Sequence, residues 1–148
     1  MNIKVDEPFK LSCTSGLNWV EITIPIRTVS EANCTDHWRV KHKRHKKQKA
    51  LIYMLLRPKR PLLKVPCHIN ITRYAPRKLD KHDNLPISVK YLLDACCEVI
   101  TNDYRPGRAD SDERIEVAYN QVISKHYAVK IHFLMPDSVP FGADGFGT

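Results

Sequence analysis

Four stretches of this chain carry an apolar side chain at every second position, a period that commits them to strands with one buried face. Trp19–Ile26 sets Val20, Ile22, Ile24 and Ile26 on one side, and Pro66–Tyr74 turns Cys67, Ile69 and Ile71 inward. Glu113–Gln121 aligns Ile115, Val117 and Tyr119, while Tyr127–Phe133 aligns Tyr127, Val129, Ile131 and Phe133. Pro25 marks an edge or a strand end, because proline brings no N–H to a ladder. Ile123–His126 reads as the turn between the last two strands.

Two segments of helical character separate these strands. Residues 36–57 contain neither Gly nor Pro, and Thr35 or Asp36 supplies a cap. This predicts one long helix, basic in its first half and buried in its second. The second helix starts at an Asp83 or Asn84 cap. At about 100° per residue, Leu85, Val89, Leu92, Cys96, Val99 and Ile100 form one apolar stripe. Asp83, Lys90 and Asp94 fall within about 40° of one another on the other side. Pro86 fits only a first turn, where its missing N–H leaves no intrahelical bond unmade. The order strand, long helix, strand, helix, strand, strand predicts a small α/β (α+β) fold. Its expected form is a mixed four-stranded sheet with two main helices packed mainly on one face.

Residues 19–134 hold all of these elements; residues 1–18 read as a tail or an added edge segment, and residues 135–148 as a flexible tail. With 148 residues and 43% hydrophobic content, the chain can bury a core without staples. It contains no apolar run long enough for a bilayer and no charged-then-apolar leader, so a cytoplasmic setting without a membrane partner is expected. Cys13, Cys34, Cys67, Cys96 and Cys97 form no C-x-x-C pair and read as reduced thiols. The absence of a glycine-rich phosphate loop argues against an ATPase. Ser88 and Ser111 lack a histidine partner, which argues against a serine hydrolase.

Charge is concentrated rather than spread. The net charge is +8, yet residues 39–64 hold 11 Lys or Arg and no Asp or Glu, leaving −3 for the remainder. Lys41, Lys43, Arg44, Lys46 and Lys47 lie in the densest run, where His42 and His45 add charge at lower pH. Such a run repels itself unless an anion relieves it, and nucleic-acid phosphates would do so with a steep salt dependence. A solvated helix face is the alternative.

Against this basic background stand two groups of carboxylates. Asp80 and Asp83 sit where a loop runs into the second helix, and Asp110 and Asp112 precede the third strand. Carboxylates converging from two places would suit magnesium, a hard ion that prefers oxygen ligands. Asp80, Asp83 and Asp112, with Asp110 as an added ligand, are the expected metal set, and manganese is the alternative ion. If the second and third strands are neighbours, these side chains are expected to meet at one end of the sheet. Arg73, Arg77 and Lys78 in the loop before Asp80, and Arg105 and Arg108 before Asp110, are candidate phosphate contacts. Capping and charge balance are the plainer reading of the acids.

The run Leu79-Asp80-Lys81-His82-Asp83-Asn84-Leu85, then Lys90, then Asp94-Ala95, resembles the signature of RusA-like Holliday-junction resolvases. So does Pro106–Ile115, followed by Tyr119 and Gln121, in the same order along roughly residues 19–134. The resemblance implies a magnesium-dependent endonuclease that cuts branched DNA such as four-way junctions, as a homodimer, in bacterial or phage-infected cells. It implies catalytic roles for Asp80, Asp83, Lys90 and Asp112. Two residues separate Asp80 from Asp83, where the family has one. Within this reading, metal-bound water would attack the phosphodiester and Lys90 would balance the developing charge. A noncatalytic DNA-binding module on the same scaffold, or a basic interaction protein, are the alternatives.

Overall fold

A computed structural model describes residues 8–30, 35–105 and 111–136. Its elements are β1 (Ser12–Ser15), β2 (Trp19–Ile24), α1 (Trp38–Leu56), β3 (Cys67–Ala75), α2 (Asn84–Ser88), α3 (Lys90–Thr101), β4 (Ile115–Ile123) and β5 (Ala128–Leu134). A 3₁₀ segment, Arg57–Leu62, follows α1 directly. The sheet has five strands in the order β1-β2-β5-β3-β4, one more than the four expected. The additional strand is the short β1, which pairs antiparallel with β2 around a turn at Gly16. A Cβ at Gly16 would lie 2.2 Å from the Trp19 indole nitrogen, so any larger residue would have to displace that ring. Residues 137–148, expected to be a tail, lie outside the described residues, as do residues 1–7.

The period-two pattern becomes the sheet's buried face. Val20, Ile22, Ile24, Ile69, Ile71, Val129, Ile131 and Phe133 are each no more than 1% exposed. Pro25 stops β2 rather than marking an edge, because β2 lies between β1 and β5. Ile52 and Leu56 of α1 and Leu92, Ala95, Cys96, Val99 and Ile100 of α3 close over that face in one core. Each valine, leucine, isoleucine or phenylalanine among them contributes about 1.5–3 kcal/mol through removal from water. The two helices are tied together by Glu98, which accepts hydrogen bonds from Tyr53 and from Lys49 at 3.4 Å. Cys67, Cys96 and Cys97 are buried thiols, and burial pushes the Cys67 thiol up to about 12.

Two helix starts differ from expectation. The cap of α1 is His37, whose Nδ1 accepts the Arg39 N–H at 3.1 Å, rather than Thr35 or Asp36. The predicted second helix is two helices broken at Val89, whose φ of −115° and ψ of 10° leave the helical region. Pro86 lies inside the short α2, and the Ser88 hydroxyl donates to the Leu85 carbonyl at 2.7 Å. Asp83, Lys90 and Asp94 therefore do not share one continuous helix face. The end of α3 is set by Asn102, which adopts the left-handed conformation at φ 57°.

β3 and β4 are neighbours, and they are parallel. Cys67 lies opposite Ile115 and Ala75 opposite Ile123. That register decides where the carboxylates go.

Candidate nucleic-acid interface

Asp80 follows β3 and Asp112 precedes β4, so parallel pairing sends them toward opposite ends of the strand pair. The Gln121 side chain holds the loop after β3 in place: its Nε2 donates to the Leu79 carbonyl at 2.8 Å, and its Oε1 accepts the Leu79 N–H at 2.7 Å. Six strand positions from Gln121 back to Ile115 amount to roughly 20 Å at the usual rise per residue. The expected meeting of Asp80 and Asp83 with Asp112 at one end of the sheet thus does not occur within one chain. Among the described residues, no three His, Cys, Asp or Glu side chains form a group that could hold a metal ion. Asp110, the other expected ligand, and Arg108 lie outside the described residues.

Asp80 and Asp112 each have a local partner. The Asp80 carboxylate accepts the Asp83 N–H at 3.0 Å, and the Asp80 carbonyl accepts the Leu85 N–H at 2.9 Å. These bonds start α2, and Asp83 makes no side-chain cap. Asn84 accepts a hydrogen bond from the Ser30 hydroxyl at 2.5 Å, which pins the segment after β2 to this corner. Asp112 is gripped by Arg114, whose Nη2 and Nε lie 2.7 and 3.0 Å from its two oxygens. That guanidinium, aided by the Arg114 N–H, holds the Asp112 carboxyl down at about 2. One chain therefore presents its acids as a paired corner and a distant ion pair, an arrangement that does not fit the expected magnesium site.

Lys90 Nζ lies 3.1 Å from Asp94 on the next turn of α3, with Tyr119 of β4 facing both. Burial raises the Tyr119 hydroxyl above its ordinary value, and Asp94 adds to the shift while Lys90 opposes it. Tyr91 stacks on His45 of α1 with ring centroids 3.6 Å apart. This contact joins the basic half of α1 to the Lys90 end of α3. Lys43, Lys46 and Lys47 on α1 are exposed, Lys41 is half-buried, and Arg44 pairs with Asp36 at 3.0 Å.

The sequence missed a cleft of about 670 Å³ beside the Asp80–Asn84 corner. It is lined by Arg27, Thr28, Ser30, Arg73, Arg77 and Tyr127, among others. Arg73, grouped with the loop cations although the 66–74 alternation includes it, belongs to β3 and is only 7% exposed. Its Nε donates to the Thr28 hydroxyl at 3.1 Å, its Nη2 to the Thr28 carbonyl at 3.2 Å and its Nη1 to the Arg77 carbonyl at 3.0 Å. Burial lowers the Arg73 guanidinium, and Arg27 pushes it the same way. The available signal was Arg27 itself, just past a strand that ends at Pro25 beside the inward half of the sheet. Arg77 and Lys78 are exposed in the loop, and Arg105 is engaged with Asp103 at 2.8 and 3.0 Å.

Compared with known proteins, the chain matches no family model and no curated protein. No helix among the described residues is long and apolar enough to cross a membrane.

Proposed function

We propose that this chain binds branched DNA and is an endonuclease of the RusA-like type, active as a homodimer. The observation that carries this reading is one corner where opposite charges meet. The arginine-lined cleft reaches Leu79, the residue before the exposed Asp80, and Ser30, which bonds Asn84 next to the exposed Asp83; α1, with its exposed lysines, begins at that cleft through Thr35 and Asp36. Cations of this density would hold a phosphate backbone, and carboxylates beside them are what nuclease chemistry needs.

The separation of Asp112 from that corner is why the dimer is part of the proposal. β4 ends the sheet, with no strand paired on its outer side among the described residues. The Cys67 N–H bonds the Arg114 carbonyl at 3.0 Å and the Ser124 N–H bonds the Ala75 carbonyl at 2.9 Å. Even-numbered positions of β4 thus turn their backbone groups to β3, and Val117, Tyr119 and Gln121 turn theirs outward. This edge is nine residues long, without Pro, Gly or Lys to blunt it, and it leaves Val122 and Ile123 44% and 64% exposed. Antiparallel pairing of two such edges about Tyr119 would set Ile115 of each copy opposite Ile123 of the other. It would also carry Asp112 of one copy past the Ile123 end of its partner, the end nearest Leu79 and Asp80. Magnesium, or manganese, is the ion such a two-chain carboxylate set would take.

The test is cleavage of a labelled four-way junction in magnesium, beside linear duplex and an Asp83→Asn control. Paired nicks that the control lacks would support the reading. Salt-sensitive junction binding without cleavage, in magnesium or manganese, would favour a noncatalytic DNA-binding module. The Asp112–Arg114 ion pair is the observation on that side.

A further inference from the structure

Arg73 is a cation enclosed by neutral groups. A guanidinium has five N–H donors, and three bonds account for three of them, all to the Thr28 hydroxyl, the Thr28 carbonyl and the Arg77 carbonyl. No described carboxylate pairs with Arg73, although a buried charge ordinarily has a counter-charge. Arg27 and Arg77 line the same cleft. Arg27 lies over the Tyr127 ring at 5.2 Å, which orients it without neutralising it. The cleft's described carboxylate is Asp36, and Arg44 outside the cleft is 3.0 Å from it. Glu31, close by in sequence, lies outside the described residues. The Thr28 and Ser30 hydroxyls share the lining with these arginines and with the apolar Val29, Ala75, Pro76 and Leu79.

We propose that this cleft is a seat for a single phosphate group, and that a phosphodiester of bound DNA fills it. Arg73 is the deep contact, already fixed by the segment after β2 and the loop after β3. Arg27 and Arg77, exposed at the rim, close on the oxygens from two sides. A phosphate offers several acceptor oxygens to donors held in this way, and a guanidinium meets them in a bidentate fork. The seat reaches Leu79, next to Asp80 in the chain, and Ser30, which bonds Asn84, so the phosphate it grips is a near neighbour of the one at the carboxylate corner. Lysines on α1 give affinity without position; this cleft gives position.

The inference rests on the DNA reading, and one set of measurements separates the two. Nitrogen-15 NMR of the arginine Nε–Hε groups is followed during titration with the dinucleotide pTpT. Junction binding is measured by anisotropy on the same samples. The expected result is a saturable shift of the Arg73, Arg27 and Arg77 signals, with Arg27→Gln/Arg77→Gln weakening pTpT at least tenfold. The double variant keeps Arg73 and its internal bonds, so its fold serves as the control, checked by its amide spectrum. Equal pTpT affinity in the double variant and the parent, or shifts confined to α1, would overturn the seat while junction binding still stood. Loss of both pTpT and junction binding in the parent protein would overturn the DNA reading and the seat together.

Discussion

Asp112 shows how far a single neighbour can commit a candidate catalytic residue. The Arg114 guanidinium lowers its carboxyl from an ordinary 3.8 to about 2. A depressed acid favours the fold above its unfolded value, and that contribution is lost as pH falls from about 4 through about 2. Carbon-13 titration of the Asp112 carboxyl should therefore give a midpoint near 2. Arg114→Ala should return it toward 3.8, and an unchanged midpoint would remove Arg114 as the cause. At the other end of the site, Asp80 and Asp83 were visible in the sequence as acids before a helix. Their local hydrogen bonding was not, because the Asp80 carboxylate serves the Asp83 N–H, a bond that spacing alone does not specify. Arg73 was legible as a cation at the end of the 66–74 alternation, but its burial was not, since that depends on the segment after β2 crossing above it.

At the scale of elements, local periodicity was a good guide and local breaks were not. The strands at 19–24, 67–75 and 128–134 follow the alternation of Val, Ile and Phe, which is a property of neighbouring residues. The kink at Val89 escaped because the apolar stripe continues across it: Leu85, Val89 and Leu92 are all buried. Leu92→Ala should cost about 2–5 kcal/mol in urea unfolding, the usual range for emptying a packed leucine site. Asn102→Ala should cost about 1 kcal/mol because alanine resists the left-handed conformation at the end of α3. Asn102→Gly should escape that cost, which separates backbone conformation from any lost side-chain contact. For α1, Lys43→Gln/Lys46→Gln/Lys47→Gln should weaken junction binding and reduce the log-affinity against log-salt slope by up to about 3. An unchanged slope would leave those lysines as a solvated face.

For the whole molecule, direction mattered more than adjacency. A period-two pattern says neither which strands are neighbours nor whether two neighbours run parallel. Parallel pairing of β3 with β4 is what parts Asp112 from Asp80 and Asp83. The same topology leaves β4 as a long open edge, so the feature that divides the acids in one chain would unite them in two. Asp83→Asn and Asp112→Asn should each abolish junction cleavage alone. In a heterodimer of the two, one site would combine both substitutions and the other would have neither.

The most direct measurement is therefore cleavage of a labelled four-way junction in magnesium by Asp83→Asn protein, by Asp112→Asn protein, and by the two mixed and allowed to exchange subunits. The two-chain site predicts no cutting by either variant and recovered nicking by an equal mixture, at about a quarter of the parent rate after full exchange. A mixture as inactive as its parts, with exchange verified and the parent protein active, would place both aspartates in one chain's site and contradict the account.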